Sequence, residues 1–236
     1  MKEVKLDILV FAAHPDDAEL SCSGMIMHQK SLGNKVGIVD LTKGELGTRG
    51  NAEIREIEAK KSSELMELDV RDNLAMQDGL FEINETNLKK VVKAIRTYKP
   101  SIVVANAPND RHPDHGRGSD LVKRAFFLSG LVKFEVEGKG AYRPDKLVFM
   151  IQDEYIEPDF VLDVTPYWDR KKEVIAAFST QFFDPNSQEP ETPISTKDFW
   201  DFLDARGREF GRKIKVKFGE GFVHATTTSV HDITRV

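Results

Sequence analysis

A histidine and two adjacent carboxylates stand in this sequence directly after an apolar run. Residues 6–13 read LDILVFAA, and His14, Pro15, Asp16 and Asp17 follow at once. An imidazole and a carboxylate at the mouth of a buried strand are ligands that could bind a divalent metal together. The alternative is that the acidic residues only cap a following helix, because an Asp side chain accepts hydrogen bonds from the free N–H groups at a helix start.

A second cluster of the same kind occurs later in the chain. The apolar run SIVVA at residues 101–105 precedes NAPNDRHPDHGRG, which contains His112, Asp114 and His115. In open α/β sheets, ligands bind beyond the carboxyl ends of the strands, so the two clusters would share one edge if their strands run parallel. Asp114 could again be a helix cap, with both histidines solvated in the loop. The two clusters together favour a shared metal site over two independent caps.

The residue types indicate which metal chemistry such a site would perform. Two imidazoles and one carboxylate, with a fourth position left to water, form the ligand set of a catalytic zinc site. Such an ion lowers the pKa of a bound water towards about 7. The same ligands also occur in non-haem iron(II) sites, so Zn²⁺ is expected and Fe²⁺ is the alternative. Because Cys22 is the single cysteine, a Cys₄ or Cys₂His₂ structural zinc site is excluded.

Further residues of the two clusters fit the other steps of a hydrolysis. Asp16, beside His14 and Asp17, is a spare carboxylate within reach of the water and could act as a base. His112 stands next to Asp114, whose carboxylate could orient the ring and keep it protonated. A histidinium at this position could stabilise an oxyanion and protonate a leaving amine.

The surrounding pattern predicts the elements that position these residues. Continuous apolar runs alternate with helical segments, as in a sheet of buried parallel strands with helices on both faces. The predicted fold is therefore α/β, a Rossmann-like three-layer sandwich with a mostly parallel sheet and the metal site at the C-terminal ends of its strands. The strands are predicted at 6–13, 35–41, 73–77, 101–105, 146–151 and 160–164, and the helices at 18–32, 52–68, 86–98, 115–129, 167–178 and 197–213.

Three local features complete this prediction. Asn51 is the expected N-cap of the helix at 52–68. Residues 183–193 contain three prolines and are expected to form a loop, and residues 218–228 (FGEGFVHATTT) have no assigned element. An apolar stripe of the helix at 52–68 is formed by Ile54, Ile57, Leu65 and Leu68.

Length and composition restrict the class of protein. A chain of 236 residues suits a single domain, taken as residues 1–236. The net charge of −5 disfavours nucleic acid as a partner, which usually demands a basic face. No apolar stretch approaches the roughly 18 residues needed to span a bilayer, so no membrane partner is expected. The first apolar run lacks a cleavage pattern and a single cysteine suits a reducing compartment, so a cytoplasmic location is expected.

Five segments of the chain together resemble one known family. They are AAHPDDAEL, TKGELGTRGNAEIREIE, NDRHPDHGRG, AAFSTQFFDP and GEGF, and they extend from about residue 6 to residue 222. The chain resembles the LmbE/PIG-L family of zinc-dependent N-acetylglucosaminyl deacetylases. The combination of DRHPDH with STQFFDP most resembles the bacillithiol-biosynthesis branch, which removes acetate from N-acetylglucosaminyl-malate.

The resemblance implies a role for each residue of the two clusters. The metal ligands would be His14, Asp17 and His115, the general base would be Asp16, and the charge-stabilising pair would be His112 and Asp114. Spacing alone leaves the choice between His112 and His115 as a ligand open. The resemblance also implies a small-molecule amino-sugar conjugate as the substrate, and a homo-oligomer, because the family commonly assembles.

Three arginines are candidates for binding the substrate. The resemblance brings Arg55 to the active site, whereas its position alone would make it a helix-surface residue in a salt bridge. Arg111 belongs to the second strand-end loop, and its guanidinium could bind a substrate carboxylate in a bidentate way, which suits a malate group. Arg49, in the glycine-rich loop, is a third candidate of the same kind.

The predicted function is removal of an N-acetyl group from a glucosamine conjugate by a metal-dependent hydrolase. The alternative is an amidase acting on another N-acyl amino sugar or on a thiol conjugate, because it would use the same metal site. A non-catalytic Rossmann-like binding module is disfavoured, because the first βα turn lacks G-x-G-x-x-G and its two carboxylates would repel a pyrophosphate. A catalytically dead scaffold is disfavoured because ligands, base and histidine pair are all present.

Overall fold

Strands and helices alternate through most of the chain in the computed structural model, which describes residues 4–225 and residue 227. The strands are β1 (Ile8–Ala12), β2 (Val36–Thr42), β3 (Val70–Met76), β4 (Ile102–Ala105), β5 (Lys146–Met150), β6 (Phe160–Asp163) and β7 (Gly219–His224). The helices are α1 (Asp17–Ser31), α2 (Ala52–Leu65), α3 (Glu85–Tyr98), α4 (Pro113–Ser129), α5 (Trp168–Ala176) and α6 (Lys197–Lys213).

The strands form one sheet in the order β3-β2-β1-β4-β5-β7-β6. Strand β1 pairs in parallel with both β2 and β4, so that Ile8 lies opposite Val36 on one side and Ile102 on the other. Strands β3 and β5 extend the parallel part, whereas β7 runs antiparallel to both β5 and β6. Because β1 and β4 are parallel neighbours, the loops that follow them leave the sheet at the same edge, as predicted.

The core lies on both faces of the sheet. Leu9 and Phe11 of β1 pack into a cluster with α3 and α4, whereas Val10 and Ala12 pack on the opposite face with α1. Successive residues of a strand point to opposite faces, and both faces are covered here, so every position of β1 is apolar and buried. The three layers and the mostly parallel sheet confirm the predicted fold class.

Helix α2 buries a polar face instead of the predicted apolar stripe. Asn51 caps the helix as expected and accepts a hydrogen bond from the N–H of Ile54 at 2.9 Å. However, Ile54 and Ile57 are 39% and 70% exposed, while Arg55 and Glu58 are buried. The prediction was wrong for Ile54 and Ile57, because this part of the helix packs against polar loops and hydrogen bonds to the loop atoms decide which side turns inward. Leu65 and Leu68 do pack against the core, as predicted.

The second half of the chain departs from the prediction at three places. Helix α4 begins at Pro113 instead of residue 115, because proline suits the first turn and His112 caps the helix. The predicted helix at 167–178 is preceded by a 3₁₀ turn at Thr165–Tyr167, which ends where α5 begins. The unassigned residues 218–228 contain β7, whose neighbours in the sheet are distant in sequence. None of the helices that the structure describes is long and apolar enough to cross a membrane.

Candidate metal centre

Three histidine rings meet at the carboxyl edge of β1 and β4. His14 follows β1, and His112 and His115 lie at the start of α4, which follows β4. The ring centroids of His14 and His115 are 5.7 Å apart, and those of His14 and His112 are 4.6 Å apart. One ring nitrogen from each of the three residues lies within 4.8 Å of the other two. The two sequence clusters therefore lie at one place in the fold.

Asp17 contacts two of these rings. Its Oδ1 is 3.0 Å from Nε2 of His115, and its Oδ2 is 3.6 Å from Nδ1 of His14. Two ligands of a tetrahedral zinc ion are about 3.3 Å apart when each lies about 2.0 Å from the metal. The two distances from the Asp17 carboxylate therefore fit ligands of one small divalent ion, and the ring nitrogens of His14 and His115 lie within 4.8 Å of each other.

Two further carboxylates hold the same rings from the outside. Asp78 Oδ1 is 3.0 Å from Nε2 of His14, and Asp110 Oδ2 is 2.5 Å from Nδ1 of His115. In metal sites, the ring nitrogen that does not bind the ion usually bonds to a carboxylate, which sets the tautomer and the orientation of the ring. Burial lowers the pKa of His115, but Asp17 and Asp110 outweigh burial and raise this pKa to about 9.

The sequence analysis missed both outer carboxylates, although each follows a strand of the parallel sheet. Asp78 lies just after β3, and Asp110 lies in the loop after β4. The rule that places ligands beyond the carboxyl ends of the strands applies to both positions and is the signal that could have found them.

Asn106 connects the two strands beneath the site and was also missed. Its Oδ1 accepts a hydrogen bond from the N–H of Ala13 at 2.8 Å, and its Nδ2 donates to Oδ2 of Asp17 at 2.9 Å. Oδ2 of Asp17 also accepts from the N–H of His14 at 3.0 Å. The Asp17 carboxylate is therefore aimed at the site and away from the N–H groups of its own helix, which contradicts the capping alternative.

Asp16 is a buried carboxylate beside the ligands. Nη2 of Arg55 donates to its Oδ2 at 2.7 Å, and the Asp16 side chain makes no capping hydrogen bond to α1. The backbone of Asp16 has a φ of 121°, in the region that favours glycine, so the turn holds this side chain under local strain. Burial raises the pKa of Asp16 to about 6, although the Arg55 charge opposes this shift.

Arg55 is buried and forms part of this turn, and its predicted role in binding the substrate stays a prediction. Besides Asp16, its guanidinium donates to the carbonyl oxygens of Pro15 at 3.0 Å and Gly44 at 3.2 Å. A Cβ atom on Gly44 would lie 2.2 Å from Nη1 of Arg55, and Gly44 has a φ of +65°. Glycine at this position therefore makes room for the arginine that holds Asp16.

The Asp114 carboxylate does not bond to the ring of His112, contrary to the prediction. Nδ1 of His112 instead accepts the main-chain N–H of Asp114 at 3.2 Å, because His112 is the N-cap of α4. The carboxylate accepts hydrogen bonds from the N–H of Gly79 at 2.8 Å and from Nη1 of Arg117 at 2.6 Å. One of its oxygens also lies 3.4 Å from Nε2 of His14.

The surroundings of His112 also disfavour the predicted histidinium. Burial lowers the pKa of His112, and the charges of His14 and His115 lower it further. With Nδ1 accepting a hydrogen bond, a neutral ring carries its proton on Nε2. The structure therefore presents His112 as a neutral donor.

Comparison with known proteins identifies the family of this chain. A sequence model described as "PIG-L: GlcNAc-PI de-N-acetylase" matches residues 9–126, which include both clusters. The chain belongs to the PIG-L family. This membership confirms the family resemblance noted in the sequence.

Three relatives illustrate how far the PIG-L likeness extends. The probable N-acetyl-alpha-D-glucosaminyl L-malate deacetylase 2 of Bacillus subtilis is 27% identical over 195 residues, which cover 75% of this chain and 84% of that protein. The conserved protein TT1542 from Thermus thermophilus superposes with a TM-score of 0.87 at 32% identity, covering 98% of this chain and all of that one. The N,N'-diacetylchitobiose deacetylase from Pyrococcus horikoshii has a TM-score of 0.79 at 25% identity, and the superposition covers 91% of this chain and 82% of that one.

In this member of the PIG-L family, Arg49 connects two loops and does not face the site, contrary to its predicted role. Its Nη2 donates to Oγ of Ser187 at 2.5 Å, its Nη1 donates to the carbonyl of Phe182 at 3.5 Å, and its Nε lies 3.6 Å from Glu189. The carbonyl oxygen of Arg49 accepts from Nε2 of Gln181 at 2.8 Å. Because these contacts bind the guanidinium to the loop after α5, few of its hydrogen-bond donors remain for a substrate.

Arg111 stands at the rim of the site and is half-exposed. Its Nε donates to Oδ2 of Asp153 at 2.8 Å. Within the described part of the chain, no hydrogen bond involves its other two nitrogens, which are therefore available to a ligand. Of the three arginines, Arg111 has the geometry best suited to the predicted contact with a substrate carboxylate.

A cavity of about 500 Å³ covers the whole site. This volume is within the range of small-molecule binding pockets, about 300–1,000 Å³. The polar residues of its lining include His14, Asp16, Asp17, Arg55, Asp78, Arg111, His112 and His115.

Proposed function

We propose that this protein is a metal-dependent hydrolase that removes the N-acetyl group of N-acetylglucosaminyl-malate. One observation carries the proposal: the Asp17 carboxylate lies 3.0 Å from a ring nitrogen of His115 and 3.6 Å from one of His14, beside the buried carboxylate of Asp16. Family membership supports the deacetylase chemistry, and the likeness to a probable malate-conjugate deacetylase supports the substrate.

Zn²⁺ is the proposed ion, held by His14, Asp17 and His115, with Fe²⁺ as the alternative. When bound, the ion would act as a Lewis acid toward the amide and the attacking water. Asp78 and Asp110 keep the two histidine rings turned so that the nitrogens nearest Asp17 are available.

Asp16 is the proposed general base. Arg55 occupies its Oδ2, while its Oδ1 accepts no hydrogen bond from the described residues, so this oxygen is available to take a proton from water. A pKa of about 6 leaves the carboxylate mostly ionised at neutral pH, yet close enough to neutrality for efficient proton transfer.

Asp16, once it has taken a proton from water, is the proposed donor of that proton to the leaving amine, and His112 is the proposed hydrogen-bond donor to the oxyanion. Its Nδ1 accepts the N–H of Asp114, which turns Nε2–H away from the helix, and the residue lines the cavity. Asp114 thus acts through its backbone on His112, and its carboxylate holds the loop that contains Gly79. A neutral imidazole donating from Nε2 can stabilise developing negative charge on the carbonyl oxygen.

Arg111 is the residue proposed to select malate. Its two free nitrogens can bind one carboxylate of the aglycone in a bidentate way. A deacetylase for another N-acyl amino sugar or a thiol conjugate would use the same metal site, so the substrate test must vary the aglycone. The homo-oligomer and the cytoplasmic location stay predictions.

The test is an amine-release assay on the metal-loaded protein with N-acetylglucosaminyl-malate and with free N-acetylglucosamine. We expect a higher kcat/KM for the malate conjugate, and Arg111→Met should remove most of this preference while leaving the rate on free N-acetylglucosamine unchanged. Arg124→Met, an exposed arginine on α4, is the matched control. Equal kcat/KM values for the two substrates would contradict malate as the aglycone, and no amine release from either would contradict the deacetylase itself.

A further inference from the structure

The cavity over the site has an apolar half that the proposed chemistry does not use. Its walls come from α5, α6 and the end of β5, and the side chains are almost completely buried: Trp168 is 4% exposed and Phe210 is 3% exposed. The apolar lining consists of Leu20, Ile151, Trp168, Phe199, Leu203 and Phe210.

The ligand residues line the same cavity as the apolar half and as a polar half that includes Asp78 and Arg55. Asp78 contacts His14 at 3.0 Å, and Arg55 lies beside Asp16. Leu20 follows Asp17 by three positions on α1, which places it on the same helix face about one turn farther on. A group held at the ligands therefore lies in a cavity that offers both polar and apolar side chains.

The two charged residues at the inner end of the apolar half are already paired. Nζ of Lys171 donates to Oε1 of Glu220 at 2.6 Å, and both residues are 3% exposed. Glu220 also accepts from the N–H groups of Gly24 at 2.9 Å and Met25 at 2.6 Å. These N–H groups follow Cys22, where α1 is kinked and leaves donors without helical partners.

This pairing leaves the inner end of the cavity without net charge. The carboxylate of Glu220 is used by the kink of α1, and the ammonium of Lys171 compensates its charge. An apolar ligand group could therefore enter beside this pair without stranding a buried ion. Arg206, which also lines the cavity and lies over the ring of Phe210, donates to the main-chain carbonyls of Gln152 and Asp153.

We propose that the apolar half binds the N-acyl chain of the substrate, so that the enzyme hydrolyses amides with acyl chains of four to six carbons better than the acetyl amide. This inference rests on the proposed function. The amide carbon carries two substituents, the amino-sugar nitrogen and the acyl chain. If the sugar occupies the polar half, the acyl chain leaves the ligands in the opposite direction, toward Leu20 and Leu203.

The reaction is an ordinary hydrolysis. Water adds to the acyl carbon, the C–N bond breaks, the oxygen stays with the acid as a carboxylate and the nitrogen leaves as an amine after taking a proton. Only the length of the released acid differs between substrates. Burial of one methylene group contributes an increase of about four-fold in kcat/KM when it is fully realised in the transition state.

The experiment measures glucosamine release from N-acetyl-, N-butanoyl- and N-hexanoyl-glucosamine by the metal-loaded protein. All three substrates have the same sugar, so differences in kcat/KM report only the acyl chain. We expect kcat/KM to rise at least ten-fold from acetyl to hexanoyl. A steady fall with chain length would overturn the inference, while acetyl turnover in the same assay would leave the proposed function standing.

Two variants of Leu203 test whether the acyl chain binds in the apolar half. Leu203→Trp should fill the apolar half and abolish the gain with chain length, and Leu203→Ala should move the optimum to longer chains. Leu32→Trp, at an exposed position after α1, is the matched control. An equal loss on all chain lengths in Leu203→Trp, with unchanged melting temperature, would contradict an acyl site. If Leu203→Trp does not fold, the substrate series with the wild type and with Leu203→Ala still tests whether the apolar half binds the acyl chain.

A third substrate arm separates the acyl chain from the aglycone. Hexyl glycosides of N-acetylglucosamine present the same six carbons on the other side of the sugar. Faster turnover of these glycosides, without any gain from longer acyl chains, would indicate that the apolar half binds the aglycone and would overturn the proposal. Loss of amine release from every substrate would instead count against the deacetylase function itself.

Discussion

Oδ1 of Asp17 lies 3.0 Å from Nε2 of His115, although the two residues lie in the first turns of α1 and α4, just after the loops that follow β1 and β4. The parallel pairing of β1 with β4 brings these loops to one edge of the sheet. This contact distinguishes His115 from His112 as the partner of Asp17 and leads directly to the first prediction.

His115→Ala should lose the bound metal, whereas His112→Ala should keep it and lose activity. The reason is that the His115 ring faces Asp17, while His112 has its Nδ1 bonded to the backbone of α4. Elemental analysis of both purified variants gives the metal content, and the amine-release assay gives the activity. Full metal content in His115→Ala would transfer the ligand role to His112.

Asp16→Asn should keep its metal and reduce kcat by about 10²–10⁴-fold, because an amide cannot accept the proton of the attacking water. The metal content should be unchanged, since Asp16 bonds to Arg55 and not to the histidines. Asp120→Asn, at an exposed position on α4, is the control for the loss of one carboxylate. Wild-type turnover in Asp16→Asn would rule out its assignment as the base.

Asp110→Asn should weaken metal binding about 10–100-fold without removing a ligand. Its carboxylate holds Nδ1 of His115 at 2.5 Å, and an amide in its place would no longer stabilise that orientation or the basicity of the ring. Competition of the variant with a chromogenic chelator measures the affinity. Asp201→Asn, on the exposed side of α6, should bind metal as the wild type does; equal affinity in both variants would contradict the role of Asp110.

Arg49→Met should loosen the loop at 183–193 and lower the free energy of unfolding by about 1–3 kcal/mol, because a buried arginine loses hydrogen bonds to Ser187 and Phe182. Limited proteolysis should cut this loop faster than in the wild type. Arg212→Met, on the exposed end of α6, should change neither quantity. A large increase in KM with unchanged proteolysis would return Arg49 to the substrate-binding residues.

Part of this architecture is readable from local sequence. Asn51 caps α2 as its position predicts, and the apolar run of β1 reports burial on both faces of the sheet. The capping alternative for Asp17 could not be excluded in this way. An acidic residue at a helix start has the same sequence signature whether its carboxylate faces the helix or, as here, two histidines.

The sequence alone was enough to predict strands β1 to β6 with the helices along the chain, the polar clusters at two strand ends and the family to which they belong, whereas β7 was missed. It could do so because burial, capping and turn chemistry depend on neighbouring residues. Only the tertiary structure decided that Asp78 and Asp110 hold the ligand rings, that Asp114 bonds elsewhere than to His112, and that Arg49 connects two loops. Each of these outcomes is a competition among hydrogen-bond partners distant in the chain, and the packing of the sheet and its loops selects the one that forms.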